Sequence, residues 1–231
     1  MDEKFIQLKT ILTIYVQDAY ENMKELDHRK QVVINSHATH GPSSVLSNQS
    51  LGMFYFMIGR TMVSVDKLDS AINAYIAYLE QLISDKGILI EEEAQRMKSI
   101  WETHLNEIKG ARQALEDREI MIQNAKGANE KEILGATALK FTEETNYILR
   151  LNNILSLYVD YVSFLEEKLG LKGGFLSDDM ASNLLRDIYL GLEKQFEFEV
   201  ERECPRCNQT MTISPQNPTL LCPFCGGHIG V

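Results

Sequence analysis

Four cysteines, Cys204, Cys207, Cys222 and Cys225, are the only ones in this chain of 231 residues. They stand in two C-P-x-C turns separated by fourteen residues. A C-x2-C turn aims two thiolates at one point, and two such turns complete a tetrahedral shell for a borderline-soft ion such as Zn²⁺. Redox or disulfide pairing is the other use of such turns. Repetition of the same turn at this spacing favours the metal, as one structural ion. Four protein thiolates leave no coordination position for a catalytic water. His228 lies three residues beyond Cys225; with four thiolates already present it reads as a surface residue.

The second chemical feature is an absence. From Gln31 to Gly59 there is no Asp, Glu, Lys or Arg, although a quarter of the chain is charged (24%). The segment holds His37 and His40, then an apolar run that includes Met53, Phe54, Phe56 and Met57. Interface cores lose charge and gain aromatics and Met, so these six residues are candidates for an interface or pocket. The alternative is a loop folded back on the core. His37-x2-His40 has ring nitrogens suited to a metal or to acid–base work. It lacks a nearby third ligand and reads more simply as a pair of polar loop residues. Ser43 and Ser44 lack a nucleophile-elbow context, and no phosphate-binding glycine loop is present.

Around the cysteines, Gln209–Ile213 and Pro218–Leu221 read as two short strands joined by the turn Ser214-Pro215-Gln216-Asn217. The sequences C-P-R-C and C-P-F-C-G-G within 204–231 resemble the two knuckles of a zinc ribbon. The resemblance implies a small β-hairpin held by one structural zinc, serving contacts with protein or nucleic acid. Asn208 stands where the family often has glycine.

The elements that must carry these residues are long helices. Phe5, Leu8, Ile11, Leu12, Tyr15, Val16, Ala19, Met23 and Leu26 follow helical spacing from Asp2, a candidate cap, to about Ile34. A polar loop is expected over Asn35–Ser44, broken by Gly41-Pro42. A second helix is expected from near Asn48 or Ser50 to about Asp85. It carries one stripe of Leu51, Ile58, Val65, Ile72 and Leu79, and another of Phe54, Thr61, Leu68, Tyr75 and Leu82. Both recur every seven residues, as in a coiled-coil seam.

A third helix, about Ile90–Asn124, has a weaker seam (Ala94, Trp101, Ile108, Leu115, Ile122) interrupted by His104 and Arg118. The fourth, about Glu130–Leu169, repeats Leu134, Phe141, Ile148, Leu155, Val162 and Leu169 without exception. A fifth is expected to start at Ser177 as N-cap and to turn Met180, Leu184, Ile188 and Leu192 inward. The fold class is therefore mainly α. It is an elongated antiparallel bundle or coiled coil over residues 1–200, followed by a small β zinc ribbon over 201–231.

The formal charge is −10. Residues 1–203 hold all 33 acids and 22 of the 23 bases, and beyond them Arg206 is the only formally charged side chain. This balance disfavours phosphate-driven nucleic-acid binding. The acidic start and the lack of a long apolar run exclude a secretory leader and a helical membrane span as expectations, and reduced C-x2-C pairs suit the cytoplasm.

The whole chain is similar in architecture to bacterial coiled-coil/zinc-ribbon adaptor proteins, though it has more helical breaks and a shorter gap between knuckles. That likeness implies a non-enzymatic adaptor that binds a protein partner or itself. A transcription-associated or nucleic-acid ribbon factor is the second reading. A ligand-sensing or enzymatic helical domain using His37 and His40 is the third.

Overall fold

The computed structural model describes residues 3–125, 130–171, 173–176 and 179–229. It contains helices α1 (Glu3–His40), α2 (Val45–Asp85), α3 (Glu91–Asn124), α4 (Glu130–Leu169) and α5 (Asp179–Gly191). A 3₁₀ turn at Glu193–Phe196 leads into strands β1 (Val200–Glu203) and β2 (Thr210–Ile213). The expected mainly α bundle with a small C-terminal sheet is what is found. The expected caps Asp2 and Ser177 and the break at Lys126–Asn129 lie outside the described residues.

α2 is the centre of the bundle. Both of its expected stripes face inward: Leu51, Phe54, Ile58, Thr61, Val65, Leu68, Ile72, Tyr75 and Leu79 are all buried, and Leu82 is partly so. Tyr55, Ser64, Ile76, Tyr78 and Ile83 are buried as well, because α1 covers one side of this helix and α4 another. The seams therefore pair within the chain. Ile148, Leu151, Leu155, Tyr158, Val162 and Leu165 of α4 form the facing wall. α3 lies on the outside, with only Trp101, Ile108 and Leu115 buried. Its Trp101 ring meets Tyr158 and Tyr161 edge-on, with centroids 5.1 and 4.9 Å away.

Hydrogen bonds fix the register. Tyr147 donates to Asp66 at 2.5 Å, Asn73 to the Tyr158 hydroxyl at 3.1 Å, and Tyr161 to Glu80 at 2.6 Å. Residues that rise along α2 meet residues that rise along α4, so these two helices run parallel. α1 and α3 run against them, as Phe5 beside Tyr75 and Arg150 beside Glu107 show. The Tyr75 hydroxyl donates to the buried Glu166 carboxylate at 2.7 Å, and the Phe175 N–H donates to the same oxygen at 2.7 Å. This carboxylate ties the connection after α4 to the C-terminal half of α2.

Four expectations need correction. α1 does not stop near Ile34 but continues through His40, so His37 and His40 occupy its last turn and not a loop. Nothing in Asn35–His40 lacks an N–H or demands an unusual backbone; the break falls at Gly41, whose φ is +81°. Ser44 then caps α2 by accepting the Ser47 N–H at 3.1 Å, earlier than Asn48 or Ser50.

In α5, Met180 is 66% exposed, and the inward face is Ala181, Leu185, Ile188 and Leu192. Finally, β1 pairs with β2 antiparallel, Val200 opposite Ile213 and Glu203 opposite Thr210. The hairpin therefore wraps the first cysteine turn, whereas Pro218–Leu221 does not form a strand. Pro218 has no N–H for a ladder, and Ser214 and Asn217 close a tight bridge of their own.

Glu166→Ala should lower the urea midpoint by the equivalent of about 2–3 kcal/mol, because a buried N–H and a tyrosine hydroxyl lose a charged acceptor. A Cβ at position 174 would lie 2.3 Å from that carboxylate. Gly174→Ala should therefore displace it at a similar cost, and the double variant should cost clearly less than the sum.

Candidate metal centre

The two cysteine turns are the same structure built twice. The Asn208 N–H donates to the Cys204 carbonyl at 2.9 Å, and the Gly226 N–H to the Cys222 carbonyl at 2.8 Å. The Cys204 N–H donates to Gln209 O at 3.0 Å, and the Cys222 N–H to Gly227 O at 2.8 Å. Closing the turn requires a left-handed residue after the second cysteine. Gly226 supplies it with φ +64°, and Asn208 supplies it with φ 56°, the only positive φ outside glycine among the described residues. Asparagine tolerates this region better than other side chains. The departure from glycine at this knuckle is therefore met by the one common substitute.

These turns bring all four sulfurs within 4.8 Å of one another. Cys204 Sγ and Cys225 Sγ are 3.6 Å apart, and Cys207 Sγ and Cys222 Sγ 3.7 Å. A tetrahedral ion with metal–sulfur bonds of about 2.3 Å requires sulfur–sulfur edges of about 3.8 Å. The cysteines are thus positioned to hold one metal ion, with ligands drawn from both knuckles. The Arg206 N–H lies 3.4 Å from Cys204 Sγ, the contact expected of a turn that stabilises thiolate charge. Gly227 is buried, and a Cβ there would meet Cys225 Sγ at 3.3 Å and Arg206 Cδ at 3.0 Å, so the second knuckle has no room for a side chain. His228 is exposed and stands outside the cluster.

The sheet that carries the knuckles is seated on the helices. Val200, Cys204, Met211, Ile213, Cys222 and Ile229 belong to the same continuous apolar core as the bundle. Phe198 meets Phe54 of α2 edge-on at 5.0 Å, and the Thr145 hydroxyl of α4 donates to Pro215 O at 3.4 Å. Arg202 on β1 is 1% exposed and donates to Ile229 O at 2.5 Å. Its charge lies near His37 and Tyr55. Burial, and then Arg202, hold His37 below its ordinary pKa, against the Val33 carbonyl, which faces Nδ1 at 3.0 Å. A neutral ring that donates from Nδ1 satisfies that geometry.

The six residues of the charge-free segment separate into two groups. Phe54 and Met57 are buried, and His37 is partly buried beside the ribbon. His40 is exposed, as are Met53 (45%) and Phe56 (59%). His37 and His40 join no cluster of potential metal ligands among the described residues. The buried Arg202 carried no signal in the sequence, where it sits in the charged stretch Glu199–Glu203.

Comparison with protein-family models, with curated proteins and with solved structures finds no match to this chain. No helix among the described residues is long and apolar enough to cross a membrane.

Cys204→Ser or Cys222→Ser should abolish stoichiometric metal binding, measured by metal analysis of the purified chain, and should disorder the ribbon. Far-UV helicity should largely persist, because α1 to α4 bury their own seams. Asn208→Gly should be neutral within about 0.5 kcal/mol, whereas Asn208→Val should cost about 1–2 kcal/mol, read as a loss of thermal stability of the metal-loaded protein.

Proposed function

We propose that this chain is a non-enzymatic interaction protein, with a ribbon built around one structural zinc ion. Four thiolates with tetrahedral spacing are the donor set that zinc prefers, and they leave no position for substrate or water. The resident ion would hold the two knuckles together and supply folding energy to the ribbon.

The observation that carries the reading is a row of exposed apolar side chains along α2. Leu46 (54% exposed), Met53 (45%), Phe56 (59%) and Val63 (48%) lie on one face of that helix, opposite its buried stripes. Three of the four fall within the charge-free segment. The bundle has already used its regular seams internally, so this row is what remains for a second protein or a second copy of the chain. Exposed Met and aromatic side chains without flanking charge are the composition of an interface core. A second exposed feature is the tip of the second knuckle, where Phe224 is 63% exposed. The ribbon's seating on α1, α2 and α4 favours a rigid element that presents its tips.

The test is affinity purification from native lysate, with and without nuclease, of the wild-type chain and of the double variant Met53→Asp/Phe56→Asp. The expected result is a protein partner that survives nuclease and is lost with the double variant, or a wild-type dimer that becomes monomeric by light scattering. A strictly monomeric chain that retains no protein, or partners lost on nuclease treatment, would overturn the reading in favour of no interaction role or of a nucleic-acid role respectively. Metal analysis should return one zinc per chain.

A further inference from the structure

A cleft of about 460 Å³ opens over α2, between α1 and α4, away from the cysteine centre. Its volume falls in the range of small-ligand sites. Glu144 of α4 lines it and is only 5% exposed. The Glu144 Oε1 atom has Lys140 Nζ at 3.7 Å, a long ion pair, while Oε2 has no hydrogen-bond partner. A buried carboxylate oxygen without a donor is uncommon, because desolvation of the charge is uncompensated. Burial raises the pKa of this group, with Lys140 opposing.

The helix opposite places no side chain over that carboxylate at Gly59. Gly59 sits in the interior of α2, where glycine weakens a helix. A Cβ there would stand 3.5 Å from Oε1 and 3.7 Å from Oε2, so a longer side chain would lie across the carboxylate. The remaining wall combines Asn22, Val63 and Ser64 with three aromatic rings. Tyr55 and Phe141 stack with centroids 4.6 Å apart and planes 8° from parallel, and Phe56 adds an exposed ring. Arg60 and Lys67 stand exposed at the rim and Asp18 on the α1 side. No group of three potential metal ligands exists here among the described residues, which argues against a metal ion. A buried carboxylate argues against an anion.

We propose that this cleft binds a primary ammonium carried on an apolar stem, with the head on Glu144 and the stem against Tyr55, Phe56 and Phe141. Carboxylate plus aromatic faces is the combination that recognises such cations. The ammonium can belong to a free amine or to a lysine side chain of another protein. The cleft shares Phe56 and Val63 with the exposed row of α2, but the head-group site is Glu144, outside that row, so the amine titration tests this inference apart from the interaction reading.

The test is calorimetric or NMR titration of the full metal-loaded chain with three probes: phenethylamine, phenethyl alcohol and N-acetyl-lysine methylamide. Phenethylamine or the capped lysine should bind at least about tenfold more tightly than the alcohol. Whichever of the two binds more tightly identifies the source, free amine or protein lysine. Glu144→Gln should remove the advantage of the ammonium, and Gly59→Val should block the amines while leaving Glu144 in place; unchanged far-UV spectra would show both variants folded. Equal affinity for amine and alcohol, no binding of either amine, or binding unaffected by Glu144→Gln would overturn the proposal.

Discussion

The arrangement of the bundle depends on how α2 is held beside α4. Apolar stripes with a seven-residue repeat would pack almost as well after a slip of one heptad, because Leu, Ile and Val at equivalent positions are nearly interchangeable. The tyrosine hydroxyls are not interchangeable in this way. Tyr147 must reach Asp66, Tyr158 must reach Asn73, Tyr161 must reach Glu80, and Glu166 must accept from Tyr75. A slip of one heptad would strand four hydroxyls and several carboxylates at a half-buried seam. Each unmet group costs about 1–3 kcal/mol. Burial also pushes Asp69 up to about 6, against the hydrogen bond from Tyr158, so this seam tolerates charge only where a partner meets it.

With α2 and α4 in register, the rest follows by exclusion. α1 covers one flank of α2, and α3 covers α4 through Trp101. The Glu166 carboxylate folds the segment after α4 back so that α5 runs along α1. The 3₁₀ turn then delivers β1 to the open end of the bundle, where Phe54 and Thr145 wait. The sheet of the ribbon is only two strands of four residues each. A hairpin of that size is marginal alone. Two features can support it: four sulfurs placed to share one metal ion, and burial of Val200, Met211 and Ile213 in one apolar core with the helices. Fully burying an apolar side chain of this size contributes about 1.5–3 kcal/mol.

Much of this was legible in the sequence. The four thiolates, the five helices and the inward stripes of α2 and α4 all rest on spacing, and spacing survives folding. The failures have a common cause: they concern where local chemistry stops. His37 and His40 look like loop residues because polar clusters often are, yet each continues a helix until Gly41 forces the turn. Pro218–Leu221 has strand composition, but the partner of β2 was the charged stretch Val200–Glu203. There, alternation placed Arg202 inward and Glu201 and Glu203 toward water. No composition rule anticipates a buried arginine; the pairing register decides it. Met180 fails similarly, since it stands at the margin of the apolar face formed by Ala181, Leu184, Leu185 and Ile188. The cleft beside Glu144 could not be read at all, because it depends on three helices that meet only in space.

The charge-free segment of α2 explains why one short stretch serves so many neighbours. On one side Phe54 meets Phe198 of the ribbon approach. On another, Met53 and Phe56 remain exposed. Between them Tyr55 is buried, with the charge of Arg202 near its hydroxyl and its ring stacked on Phe141, a wall of the cleft. A charge at Phe54, Tyr55 or Met57 would be desolvated, so at those positions its absence is a packing requirement. At the exposed Met53 and Phe56 packing makes no such demand. Tyr55 stands both near Arg202 of the cysteine-bearing sheet and in the wall of the cleft. Close-packed interiors transmit small displacements and do not absorb them. Phe141 lines the cleft and stacks on Tyr55, and the Arg202 charge of β1 lies near the same tyrosine, so this ring stands between a wall of the cleft and the sheet. The sequence separation between Arg202 and Phe141 hides that proximity.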